Sequence, residues 1–183
     1  MEPLLNRVLV PLDGSTHAEA ILSHLRRILH PHESHLLLLH ATTPAPWVGH
    51  EDEDKYLRRV AFQLTNDGYP TTSLMRTGSA DDAILETGRS GRATMIALTT
   101  HGRTGAPRWV LGSVAERVLQ TSSLPVLVAR SFPQSTSRGK LESLPIRSFL
   151  VPLDGSRLSL SALDPLFHLA RGVDASVTLL HVT

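Results

Sequence analysis

The chain has 183 residues, of which 41% are hydrophobic and 19% are charged, and it contains no cysteine. This is the composition of a globular protein with an ample core, and it excludes disulfides and thiol chemistry. The formal net charge of +1 argues against electrostatic capture of nucleic acid or of an anionic membrane. With no cysteine and no signal-peptide pattern at the N-terminus, the sequence predicts a cytoplasmic protein.

Strands alternate with helices through the first 130 residues. Short apolar runs predict five strands, near residues 8–10, 36–41, 71–75, 94–98 and 125–129. Helical spacing and capping residues predict four helices between them, near residues 16–29, 55–67, 80–89 and 112–122. The acidic run from Glu51 to Asp54 leads into the second helix, where it suits the macrodipole. This alternation predicts parallel βαβ units in an open α/β sheet with helices on both faces.

The opening of the chain is repeated near its end. RVLVPLDGS at Arg7–Ser15 corresponds to SFLVPLDGS at Ser148–Ser156, and LLHAT at 38–42 corresponds to LLHVT at 179–183. The offset is the same at both anchors, since 154 − 13 and 181 − 40 are both 141. We therefore predict a first domain over residues 1–130, a polar linker over 131–145, and an incomplete second copy, β-α-β only, over 146–183.

A second copy of this size is too short to bury a core of its own. One strand-helix-strand unit would leave an apolar sheet face and strand edges uncovered. We expect the chain to be a fragment of a tandem protein. Two alternatives stay open: the unit packs on its own first domain, or it completes a sheet in another chain.

The loops after the first and fourth strands are the candidate sites, because ligands bind at the carboxyl ends of parallel strands where the strand order reverses. Gly112 and Ser113 open a helix whose free N–H groups suit a phosphate. Arg103 and Arg108 add positive charge. Asp13 could accept from ribose hydroxyls or hold Mg²⁺ beside phosphates. Each residue alone could serve a turn or a cap, but together they favour a nucleotide site.

With these motifs, residues 7–130 resemble the universal stress protein family, and the whole chain resembles a tandem member. Gly102, nine intervening residues, Gly112 and Ser113 match most of the glycine motif of the family's ATP-binding members. Thr99 stands where that motif has its first glycine, so its side chain would either crowd the ligand or donate a hydrogen bond to it. PLDGS, LLHAT and SLPVLVAR match the family's first, second and last strands.

The resemblance implies a sheet of order 3-2-1-4-5 that binds ATP or AMP as a nucleotide-responsive stress or signalling module. The residues it assigns to nucleotide binding are Pro11, Leu12, Asp13, Ala41, Thr99, Gly102, Arg103, Gly112, Ser113 and Val114. It also implies a homodimer through the last strand, which comprises Val126, Leu127, Val128 and Ala129. The alternative function is a stress protein that binds no nucleotide and acts through dimerisation and protein-protein interaction.

No catalytic machinery is assembled in the sequence. GxSxG is absent, and His101-Gly102 lacks the second histidine of a nucleotidyl transferase signature. The three histidines of HPHESH, His30, His32 and His35, have no cysteine or fixed carboxylate beside them, so a surface loop is a better interpretation than a zinc site. We expect no enzyme, or at most weak ATP hydrolysis supported by Mg²⁺ on Asp13.

Overall fold

The computed structural model describes residues 4–42, 51–100, 111–130 and 145–181. The first part contains β1 (Arg7–Pro11), α1 (Thr16–Leu25), β2 (His35–Thr42), α2 (Glu51–Asn66), β3 (Thr71–Thr77), α3 (Ala80–Ser90), β4 (Met95–Thr99), α4 (Ser113–Thr121) and β5 (Val126–Ala129). The second part contains β6 (Ser148–Leu153), α5 (Arg157–Ser161), α6 (Leu163–Gly172) and β7 (Ser176–His181). Among these residues, no helix combines the length and apolarity needed to cross a membrane.

The five strands of the first part form one parallel sheet in the order β3-β2-β1-β4-β5, which confirms the predicted fold and strand order. β1 lies at the centre, and Val8, Leu9 and Val10 are fully buried. A run of this kind, with no polar alternation, is what a parallel strand covered on both faces requires. The strand order reverses between β1 and β4, so the loops that follow these two strands run in opposite directions and leave a crevice between them.

The core forms two clusters, one on each face of the sheet. Val8 and Val10 pack on one face with α1 and α2, whereas Leu9 packs on the other with α3 and α4. This division follows from the pleat, since successive side chains of a strand point to opposite faces. Helices therefore cover both faces of the sheet, and its carboxyl edge lies beside the N-terminal ends of α3 and α4.

Two helix boundaries differ from the predicted ones. α1 ends at Leu25 rather than Leu29, because the chain turns at Arg26, while Ile28 and Leu29 still reach the core from the turn. Their apolar spacing therefore reflected burial and not a longer helix. α2 begins at Glu51, so the acidic run forms its first turn instead of preceding it. Carboxylates are stabilised there by the free N–H groups of the helix end.

β6 and β7 pair in the same register as β1 and β2. Arg7 pairs with His35 and Ser148 pairs with Ser176, and both 148 − 7 and 176 − 35 are 141. The predicted linker, residues 131–145, lies outside the described residues except for Pro145. That the unit is the start of a second copy in a tandem protein stays a prediction.

The β6–β7 unit contacts the first part of the chain. Ile146, Leu169 and Val173 pack against the α1-side core cluster, and His30 Nε2 lies 2.8 Å from the carbonyl oxygen of Gly172. Yet large side chains stay exposed, among them Leu150 (66%) and Leu179 (54%). Packing on its own first domain, one of the two alternatives kept open, is therefore present, but it leaves much of the unit's apolar surface uncovered.

Lowering the pH below about 6.5 should destabilise the protein in part through His35. Burial, followed by the nearby charge of Arg7, lowers the pKa of His35 below its ordinary value. A lowered folded-state pKa favours the neutral ring, so its contribution is present above the unfolded pKa of about 6.5 and is lost as pH falls through the folded pKa. Urea unfolding at pH 8 and pH 5.5 should show a smaller loss in His35→Gln than in the wild type. Equal losses would contradict this assignment.

Candidate functional site

A cavity of about 310 Å³ opens at the carboxyl edge of the sheet. It lies between the ends of β1, β2 and β4 and the first turns of α3 and α4. The volume is within the range of small-molecule sites, which is about 300–1,000 Å³. The position is the switch point that the strand order predicts for a ligand.

The structure brings most of the predicted nucleotide-binding residues to this cavity. The lining includes Pro11, Leu12, Asp13, Ala41, Thr99, Gly112, Ser113 and Val114. Gly102 and Arg103 lie outside the described residues. Four chain segments therefore converge on one space, although their role in nucleotide binding stays a prediction.

Other lining residues were not anticipated from the sequence. They are Ala18, Leu39, Ala80, Ile84, Leu98, Thr100 and Ala115. Most are small or apolar and carry no motif. The contribution of α3, through Ala80 and Ile84, could have been anticipated only from topology, because a βαβ crossover brings the start of the helix to the carboxyl edge of the sheet.

Asp13 is held by the turn that follows β1. Its Oδ1 accepts from the Ser15 amide at 2.9 Å and from the Ser15 hydroxyl at 2.6 Å, and Ser15 Oγ in turn accepts from the Ala18 amide to cap α1. Gly14 adopts a φ of 87°, which glycine permits without a steric penalty. The turn thus fixes this carboxylate at the cavity before any ligand arrives.

The repeated PLDGS motif builds a similar turn in the second part of the chain. The Ser156 amide donates to Asp154 Oδ1 at 2.9 Å, and Ser156 Oγ caps the next helix through the Ser159 amide. Hydrogen bonds from Ser156 and Ser159 lower the pKa of Asp154 to about 2. The motif therefore forms the same capped turn in both parts of the chain, whether or not a cavity lies beside it. Asp13 differs from Asp154 because Asp13 lines the cavity.

Gly112 lies at the start of α4 and is hydrogen-bonded to Thr100, the residue that follows β4. Its amide donates to the carbonyl of Thr100 at 2.9 Å, and the Thr100 amide donates to Ala129 on β5 at 2.9 Å. Gly112 caps α4 with an ordinary extended backbone, φ −65° and ψ 145°. Glycine allows a close approach there: an added Cβ would lie 3.0 Å from the Thr100 carbonyl oxygen, which would have to shift by a few tenths of an ångström.

The chemical character of the cavity divides in two. Leu39, Ala41, Ile84 and Leu98 form an apolar wall, whereas Asp13, Thr100 and Ser113 supply polar groups. The first N–H groups of α4 belong to lining residues, and they carry the positive end of the helix dipole. Such a site can hold a ligand with an apolar ring at one end and polar or anionic groups at the other.

Thr99→Gly should change ATP affinity by less than about threefold. Thr99 is 9% exposed, and strand alternation places its side chain with Met95 and Ala97 on the α1 side of the sheet. The Thr99 side chain therefore lies on the face of the sheet opposite α4, away from the helix amides that a phosphate would approach. Glycine within a strand should lower the free energy of unfolding by about 0.5–1 kcal/mol. Calorimetric titration tests this, with Thr99→Ser as the control. A tenfold gain in affinity would show instead that the threonine crowds the ligand.

The described residues contain no cluster of three or more His, Cys, Asp or Glu side chains that could hold a metal ion. Two histidines of HPHESH contact other parts of the chain: His30 Nε2 lies 2.8 Å from the Gly172 carbonyl oxygen, and His35 Nε2 lies 2.8 Å from Thr72 Oγ1. Asp13 is a single carboxylate at the cavity. Magnesium at Asp13 therefore stays a prediction that would depend on phosphates for further ligands.

Comparison with known proteins identifies relatives of the first part of the chain. The model of the universal stress protein family matches residues 5–130. A universal stress protein of Methanocaldococcus jannaschii is 27% identical over 143 residues, which is 70% of this chain and 84% of that protein. One of Thermus aquaticus is 27% identical over 139 residues, covering 69% of this chain and all of that protein.

Solved structures share the fold. A universal stress protein in complex with cAMP superposes with a TM-score of 0.58 at 21% identity, over 70% of this chain and 98% of that one. A family protein of Arabidopsis thaliana with AMP bound gives 0.55 at 17% identity, over 72% and 95% of the two chains. At these identities the likeness extends to the fold alone.

Proposed function

The chain belongs to the universal stress protein family, and from this premise we propose that its cavity binds an adenine nucleotide, ATP or AMP. One observation carries the proposal: separate segments of the chain bring Asp13, Ala41 and Gly112 to one cavity beside the N-terminal end of α4. Solved relatives contain cAMP and AMP. Their ligands support the proposal without deciding it for this chain.

The two halves of the cavity match the two halves of a nucleotide. The apolar wall around Leu39, Ala41 and Leu98 would hold adenine. The Asp13 carboxylate would accept from ribose hydroxyls. The α4 amides, with the Ser113 hydroxyl, would bind phosphate oxygens, because a helix N-terminus combines free donors with positive potential.

The proposed role is a nucleotide-responsive module and not an enzyme. The carboxylate, hydroxyls and amides at the cavity can bind and orient a nucleotide. The Ser15 hydroxyl that donates to Asp13 caps α1 and is not among the residues that line the cavity, so we assign this pair to the turn and not to catalysis. Nucleotide bound in the cavity would change how the protein contacts a partner. β5 is an outer strand of the sheet, and the proposed homodimer would form along Val126–Ala129.

A second candidate function is protein interaction without nucleotide. The exposed leucines Leu150, Leu179 and Leu180 on β6 and β7 favour it, because apolar surface of this kind is typical of contact sites. In this case the cavity would be vestigial and the partner would be a protein.

Calorimetric titration with ATP and with AMP, with and without Mg²⁺, tests the proposal. Mass spectrometry of the purified protein should first establish whether a nucleotide is carried through purification. We expect micromolar binding, which corresponds to about 8 kcal/mol. Absence of binding to nucleotide-free protein would overturn the proposal and favour the second candidate.

A further inference from the structure

An ion-pair cluster joins the two helices that form the outer wall of the cavity. Arg117 on α4 reaches across to α3, where its Nε lies 2.8 Å from Asp81 Oδ2 and its Nη2 lies 3.1 Å from Asp82 Oδ1. Asp82 also accepts from the Ser79 hydroxyl at 2.7 Å. One guanidinium thus pairs with two adjacent carboxylates and offsets one of their two negative charges.

The cluster lies within one helical turn of the cavity on both helices. Asp81 follows Ala80 and precedes Ile84 by three positions, and both of these residues line the cavity. Arg117 comes one turn after Ser113 and Val114, which also line it. Residues three or four apart share a helix face. The charges of the cluster therefore lie beside the end of the cavity where α3 and α4 begin.

Without Arg117, the described residues would place two carboxylates at that end of the cavity with no cation between them. The negative potential of these carboxylates would disfavour the binding of an anionic ligand, because charges within about 8–10 Å of one another interact at physiological salt. The Asp81 side chain is 15% exposed, whereas the side chains of Asp82 and Arg117 are 66% and 59% exposed, so water screens Asp81 least of the three. The described chain offers no other salt bridge to either carboxylate.

We propose that Arg117 is a specificity-determining residue of the cavity: by halving the negative charge of the Asp81–Asp82 pair it favours ligands that carry phosphate. The inference rests on the proposed nucleotide site and names a selectivity within it. Arg117 acts through the two aspartates and does not itself line the cavity. Replacing Arg117 should therefore weaken the binding of phosphorylated ligands and leave the binding of the neutral nucleoside unchanged.

The test compares ATP with adenosine by calorimetric titration of the full chain. Arg117→Gln should weaken ATP binding about five- to tenfold and leave the affinity for adenosine within about twofold of the wild-type value. Raising the salt concentration should reduce the difference in ATP affinity between Arg117→Gln and the wild type. Adding Asp81→Asn and Asp82→Asn to Arg117→Gln should restore ATP affinity, whereas a purely structural loss would not be rescued in this way.

Arg58→Gln is the matched control, because Arg58 pairs with Asp54 at 2.7 Å on α2 and neither residue lines the cavity. It makes the same change in net charge and should leave both affinities unchanged. Equal weakening of ATP and adenosine by Arg117→Gln, or no change in either, would overturn the inference while the proposed function stands. A wild-type chain that binds neither ligand would overturn both.

Discussion

Gly112→Val should weaken ATP binding by at least about 100-fold, which is about 2.7 kcal/mol. The extended backbone at Gly112 suits valine, so the chain should still fold. The Cβ, however, would lie 3.0 Å from the Thr100 carbonyl oxygen, and this pair closes the loop at the start of α4. With valine, the Thr100 carbonyl would have to shift by a few tenths of an ångström, and we expect the branched side chain to obstruct the approach of phosphate to the helix amides.

Calorimetric titration with ATP measures the loss, and thermal unfolding confirms that the variant is folded. Gly172→Val is the matched control, because the new Cβ would meet Leu5 Cδ1 at an ordinary 3.6 Å, away from the cavity. It should bind ATP like the wild type. If Gly112→Val does not fold, Gly112→Ala should show a smaller loss, about tenfold. Wild-type affinity in a folded Gly112→Val would place the ligand elsewhere.

Leu38→Ala should lower the free energy of unfolding by about 2–5 kcal/mol, the range for large-to-small changes in a packed core. Leu38 is fully buried on β2 and belongs to the α1-side cluster, so alanine leaves a cavity as well as losing apolar contact. The repeat supplies a matched partner: Leu179 occupies the corresponding register position on β7. Because Leu179 is 54% exposed, Leu179→Ala should cost less than about 1 kcal/mol.

Urea unfolding of both variants gives the comparison. The same chemical change at equivalent positions isolates the effect of burial, since both leucines lie on parallel strands within the same local sequence. A cost for Leu179→Ala close to that of Leu38→Ala would mean that β7 is covered in solution. A dependence of that cost on protein concentration would then identify another copy of the chain as the cover.

Much of the site could be predicted because its signals are local. Asp13 follows an apolar strand within PLDGS, and Gly112-Ser113 starts a helix after a glycine-containing loop. Strand order then brings both to one crevice, since parallel strands end at the same edge. The other wall of the cavity carried no such signal. Ala80 and Ile84 look like ordinary helix positions, and Arg117 is far in sequence from Asp81 and Asp82.

The sequence by itself determined the parallel five-stranded sheet, the order of its strands, the repeated opening and the loops at its carboxyl edge. These follow from hydrophobic period, from turn residues and from the resemblance to a family, all of which can be read along the chain. Tertiary structure alone decided where α1 stops, which face Thr99 presents, how the β6–β7 unit packs and which charges stand beside the cavity. Such features depend on contacts between distant segments, and burial and Coulomb energy act through space rather than along the sequence.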